Sequence, residues 1–160
     1  MADFINVNAT GEFVQLDINA SGTFANAATA IADSSNVMTV PSLQEVTVNA
    51  TPGIFRWKQL DSLSEKVLTT SSTNSIACTL VLDTTTFFTG AGSTAGILDI
   101  VNNKTTAYFR LYWQGATSGD RYIEGEGYLS GLAPTVTPDG PVWTSPVTIE
   151  VTGDYTTGSV

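Results

Sequence analysis

Glu124 and Glu126 lie two places apart in the alternating stretch 121–129, so an extended chain puts them on one side, roughly 6.5 to 7 Å apart by the strand rise. Carboxylates at such a distance do acid and base work in glycosidases, but there they come from different strands around a deep cleft. Two acids on one strand read first as a solvated face. The chain has no His, which removes Ser-His-Asp and Cys-His systems and any zinc site that needs His. Cys78 is the single cysteine. It excludes an internal disulfide, and its place in the apolar run 76–82 marks it as a packed thiol. Gly90, Gly92 and Gly96 imitate a dinucleotide loop, but the last glycine falls one place too late and no phosphate-binding Lys follows. Sequons begin at Asn8, Asn19, Asn49 and Asn103; without a secretory signal they read as chance matches in an Asn- and Thr-rich chain. No catalytic set, cofactor site or metal site is expected.

Composition narrows the class further. At 160 residues and 42% hydrophobic, the chain suits one domain with a sizeable core. Only 13% of residues are charged, and the abundance of Thr, Ser, Asn, Gly and Val favours strands and turns over solvated helices. The net charge of -9 predicts a surface that repels nucleic acid and anionic membrane. The cations Arg56, Lys58, Lys66, Lys104, Arg110 and Arg121 form no run that could track a phosphate backbone. The start of the chain carries neither a basic nor an apolar leader region, which predicts folding in a cytoplasm. No stretch approaches the apolar length of a membrane span.

The elements that must position these residues are mostly strands. Residues 13–18 alternate, with Val14, Leu16 and Ile18 on one face. Residues 21–35 are compatible with a short helix, a loop, or an arm that orders against a neighbouring subunit. Segments 43–48 and 54–60 read as two strands joined by a turn at 49–53, because Pro52 fixes φ and Gly53 tolerates positive φ. Residues 60–67 read as an exposed connection or a single helical turn. The run 76–82 suits a central buried strand. Helical spacing over 94–102, with Ser93 or Thr94 as cap, predicts a helix that covers one side of a sheet.

Strands follow at 107–114, 121–129 and 147–151. Gly125 and Gly127 fall on the apolar face of the second, which permits a bulge or a close backbone approach. Pro134, Pro138, Pro141 and Pro146 keep residues 142–144 at an edge. The tail 155–160 reads as frayed. Trp57, Trp113 and Trp143, with Tyr108, Tyr112 and Tyr122, are the material of a sugar-stacking platform, but strand aromatics more often serve a core or a subunit interface.

Several of these parts occur in a recognisable order. They are the segment 55–63 (Phe-Arg-Trp-Lys-Gln-Leu-Asp-Ser-Leu), a buried strand ending at Leu82-Asp83, the helix 94–102, the strands 108–113 and 122–130, and the closing strand 145–153 with its final Gly153. Over residues 43–153 this order resembles the major tail tube proteins of long, non-contractile phage tails. The resemblance implies a mainly β fold, a β-sandwich or partial barrel flanked by one α-helix, whose inner-barrel sheet is completed by oligomerisation. Residues 1–42 would be an N-terminal strand and flexible arm, 43–153 the tail-tube-like β domain, and 154–160 a tail. The weakly patterned N-terminal segment is longer than the family leads one to expect, and no immunoglobulin-like domain is appended.

In such families hexameric rings stack into a hollow tube in the virion tail, assembled in the host cytoplasm, through which DNA passes without specific binding. The implied partners are further copies of the chain, a tail tip or initiator, a tape-measure protein and a terminator. The lumen candidates are Glu124 and Glu126, with Glu45 and Glu150 behind them. Inter-ring contacts are expected from an exposed loop at 61–74, with Asp61, Glu65, Lys66 and Asn74, and from the N-terminal arm. The competing readings are a tail terminator or head-decoration protein, which would form a closed oligomer, and a carbohydrate-binding β-sandwich with Trp113 or Trp143 exposed in a groove. An enzyme is the least favoured reading.

Overall fold

The computed structural model describes residues 14–40, 43–58 and 64–160. The chain runs β1 (Gln15–Asn19), α1 (Ala27–Ala32), a 3-10 turn (Ser34–Asn36), β2 (Met38–Val40), β3 (Leu43–Lys58) and β4 (Glu65–Val81). A π-helical turn (Thr85–Thr89), α2 (Ile97–Asn103), β5 (Thr106–Tyr112), β6 (Arg121–Ser130), β7 (Thr135–Thr137), β8 (Gly140–Val151) and β9 (Thr156–Ser159) follow. The strands form one antiparallel sheet in the order β2-β1-β5-β6-β8-β4-β3, with β7 added to β8 and β9 to β6. The fold is thus mainly β, as expected, and the sheet is not closed as a barrel within the subunit.

One face of this sheet is apolar because alternate residues of each strand are. Leu16 and Ile18 of β1, Ile76, Cys78 and Leu80 of β4, Phe109 and Leu111 of β5, Leu129 of β6, and Val147 and Ile149 of β8 form a single buried cluster. Each such side chain contributes about 1.5–3 kcal/mol when removed from water. Phe87 of the π-helical turn and Ile97 and Ile100 of α2 close over the cluster, so the expected helix does cover one side of the sheet. Its cap differs from expectation. Gly96 stands at the N-cap without a side-chain bond, while the buried Thr94 hydroxyl is committed elsewhere, receiving the N–H of Ala20 and donating to the carbonyl of Asn36.

A second helix, α1, resolves the open reading of residues 21–35. Asn26 caps it, its Oδ1 accepting from the Thr29 N–H at 2.8 Å. Asn19 fastens it to the opposite face of the sheet: the side-chain amide donates to the Ala30 carbonyl at 2.7 Å. Phe24 and Tyr108 add an edge-to-face ring contact at 5.4 Å.

Three expectations are corrected. The turn at 49–53 is no turn: β3 continues through it and pairs with β4 from Leu43↔Leu80 to Lys58↔Glu65, with a bulge between Thr51 and Gly53. Pro52 is tolerated because it falls at the register shift, opposite the extra residue of β4, where it has no ladder partner, and a Cβ at Gly53 would run into the Thr70 hydroxyl and the Ser71 carbonyl. Second, the loop expected at 61–74 is strand from Glu65 onward; residues 59–63, including Asp61, lie outside the described residues. Third, the tail is not frayed. Strand β9 pairs with Arg121–Glu124 of β6, and the single proton of the Tyr155 hydroxyl is shared between the Asn49 and Ser75 carbonyls, 2.8 and 2.9 Å away.

Phe109 is fully buried at the centre of the cluster. Phe109→Ala is expected to cost about 3–5 kcal/mol in urea unfolding of the monomer, whereas Phe55→Ala, at an exposed position, is expected to stay within about 0.5 kcal/mol.

Candidate functional site

The sheet's second face carries the acids. Register places Glu124, Glu126 and Tyr128 of β6, Thr148 and Glu150 of β8, Ser75, Ala77 and Thr79 of β4, and Glu45, Thr47 and Asn49 of β3 on that face, opposite the apolar one. All four glutamates singled out from the sequence therefore share one face. α1 covers it over β1, β5 and part of β6. Across the remaining strands Glu45 and Glu150 are exposed and Glu126 is partly so.

Glu124 behaves differently from the other three. Its carboxylate is buried, 7% exposed, and its Oε2 accepts from Arg110 Nε at 2.9 Å and Nη2 at 2.6 Å. The two residues face each other across the β5–β6 ladder. The Arg110 guanidinium also lies 4.1 Å from the Tyr122 ring centroid, a cation–π contact. Burial opposes the charge on Arg110, but the groups of Tyr112 and Glu124 outweigh it and hold the guanidinium pKa above its ordinary value. The pair cancels its own charge. Sequence reasoning passed over it although the signal was present: both residues sit on the polar face of consecutive strands, and a hairpin about the 114–120 turn brings them opposite.

The other set of candidates falls on a projecting ribbon. The distal parts of β3 and β4 leave the body of the sheet, and Ile54, Phe55, Val67 and Leu68 are each at least 50% exposed there. Cross-strand partners Phe55↔Leu68 and Trp57↔Lys66 share one face, and Ile54↔Thr69, Arg56↔Val67 and Lys58↔Glu65 the other. Phe55 and Trp57 stack at 5.7 Å. Arg56 and Glu65 form an exposed ion pair at 3.5 Å, worth little by itself. Glu65 and Lys66 thus sit near the arm's end. Asn74 does not join them: it is buried and donates to the Gly153 carbonyl at 2.7 Å, anchoring the segment after β8.

Of the tryptophans, Trp113 packs against the core, and Trp143 is 53% exposed beside a groove of about 340 Å³. Among the described residues no group of three or more Cys, Asp or Glu is placed to hold a metal ion, and no helix is long and apolar enough to cross a membrane. Burial in an apolar site pushes the Cys78 thiol up to about 11.

No family model and no curated protein matches the sequence. Solved structures do match the fold. A chain from the tail of an empty gene transfer agent particle with C6 symmetry aligns with a TM-score of 0.60 at 12% identity, over 95% of this chain and 98% of that one. A chain of the SPP1 tail tube aligns with a TM-score of 0.65 at 13% identity, over 94% of this chain and 79% of that one. A chain from the virion of a native gene transfer agent particle gives 0.52 at 10% identity, over 77% and 89%. The fold expected from the family resemblance is therefore the fold observed.

Removing Arg110 strands a buried carboxylate, so Arg110→Met is expected to destabilise the monomer by about 3–5 kcal/mol, with most of the loss recovered in R110M/E124L. Chemical denaturation of the single and double variants measures this. The native Cys78 thiol is expected to resist Ellman's reagent at pH 8 and to react fully once urea unfolds the chain.

Proposed function

We propose that this chain is a tail tube subunit, six copies of which form a ring that stacks with others into a hollow conduit for DNA. The observation that carries this reading is the near-complete fold correspondence with chains of a six-fold tail and of a tail tube. It is an inference from fold, supported by the exposed two-stranded arm. A ribbon with apolar residues on both faces is marginal in water and gains by being covered.

The open polar face is assigned to the lumen. Glu45, Glu126 and Glu150 supply its negative charge, while Glu124 is neutralised by Arg110 and fixes strand register instead. A negative wall repels phosphates and keeps DNA from binding ring after ring. Screening limits this field to about 8 Å at physiological ionic strength, enough to hold a duplex off the wall without opposing its passage along the axis. Inter-ring contacts are assigned to the arm, with Glu65 and Lys66 near its described end, and to Asp61 in the chain segment between β3 and β4. A tail tip or initiator, a tape-measure protein and a terminator complete the assembly, which forms in the host cytoplasm and resides in the virion.

A carbohydrate-binding module is the second reading, and the exposed Trp143 favours it. Sugar recognition, however, needs several well-placed polar groups around the ring, and among the described residues the groove beside Trp143 is lined, apart from the indole itself, by only two polar side chains, Asp83 and Thr84.

Purified protein viewed by negative-stain electron microscopy over a concentration series, with seeding by a preformed tail tip, is expected to give hollow tubes or stacked six-fold rings. A chain that stays monomeric when seeded refutes the proposal, and a closed oligomer that stops growing points to a terminator or head-decoration protein. Tubes of E45K/E126K/E150K are expected to retain duplex DNA at low salt and release it as salt rises, whereas wild-type tubes retain none.

A further inference from the structure

We propose that the arm face bearing Phe55, Trp57, Leu68 and Lys66 docks into the groove beside Trp143 of a second copy of the chain. This deepens the tail tube reading and rests on it, by naming the surface that receives the arm.

The groove is lined by Leu82, Asp83, Phe87, Phe88, Pro134 and Trp143. Phe88 and Trp143 are each more than half exposed, an apolar recess left without cover by the described residues of the single subunit. Asp83 sits in its wall. One carboxylate oxygen accepts the Thr86 N–H at 2.9 Å, and the other, Oδ2, is buried with no hydrogen-bond partner among the described residues. Burial disfavours the Asp83 anion, but hydrogen bonds from Thr86 and Thr85 outweigh it and hold the carboxyl below its ordinary pKa. The groove thus combines exposed aromatic rings with a carboxylate in its wall.

The arm supplies the complement. Phe55, Trp57 and Leu68 present apolar area on the face that also carries Lys66. Three of the six cations of a chain with net charge -9, Arg56, Lys58 and Lys66, lie on this arm. The basic element of one copy therefore meets an acidic body on the next, the arrangement that speeds encounter and fixes orientation.

The described arm cannot reach the groove of its own subunit. Leu68 and Leu82 are fourteen residues apart along essentially one strand, roughly 45 Å at the strand rise. The arm and the groove are also different surfaces, so the contact is heterologous and propagates from copy to copy.

Cysteine pairs test this in the full-length chain, since buried Cys78 does not compete at neutral pH. Under mild oxidation the variant L68C/F88C is expected to give a ladder of covalent oligomers, and a mixture of L68C with F88C a cross-linked dimer that neither forms alone. K66C/T84C, at two exposed positions, is the second pair should the first perturb folding. Adding Trp143→Ala to either pair is expected to cut the cross-linked yield at least tenfold. Tubes that form normally from both pairs yet yield no ladder overturn the docking and leave the tube reading intact. Wild-type protein that forms no tubes when seeded overturns both.

Discussion

Strand β6 has one edge to give and two strands that take it. Along its other edge it pairs with β5 over 122–128, but on this one β9 takes Arg121–Glu124 and β8 takes 127–130. The change of partner falls at Gly127, where a Cβ would collide with the Glu150 carbonyl, so the backbones approach too closely for any side chain. Glycine inside a strand costs about 0.5–1 kcal/mol. Here it lets β8 meet the end of β6 and continue to β4, whose residues 74–81 it pairs. Because β4 and β3 extend beyond that ladder as the arm, the β6–β8 junction fixes where the arm leaves the body.

The strands whose residues face a core on one side were legible in the sequence; those with no core of their own were not. Alternation in 107–114 and 121–129 is the imprint of one buried and one wet face, and β5 and β6 lie where it placed them. The stretch 69–73, Thr-Thr-Ser-Ser-Thr, carries no alternation because both faces of β4 are exposed there, so period two has nothing to record. Pro52-Gly53 added a false turn, since a bulge and a turn draw on the same residues. The tail misled for a related reason: β9 is held by a vacant length of the β6 edge, a tertiary fact with no sequence period. Parity within β6 put Glu124 and Glu126 on one face, but only inter-strand register joins Glu45 and Glu150 to them.

The Arg110–Glu124 pair shows why an acidic chain keeps a buried charge. As an energy source such a pair is weak, because desolvation takes back most of the Coulomb gain. Its effect on register is stronger. A slip of one residue between β5 and β6 would turn Glu124 into the apolar cluster and leave Arg110 unmatched. The Tyr112–Tyr122 contact at 5.8 Å, directly opposite in the same ladder, reinforces that register. With the hairpin pinned, the open acids of β6 and β8 stay in line.

Exposed apolar residues on the arm run against the usual economy of a soluble surface, where edges and ribbons are blunted with charge. Arg56, Lys58 and Lys66 do part of that blunting, but they are cations on an anionic molecule. They discourage pairing of two arms, since like charges would meet, and favour the arm lying against an acidic body. A self-complementary patch would close a dimer and stop. A contact between an arm and a different surface of the next copy would instead close a ring where its rotation closes and extend a stack where it does not.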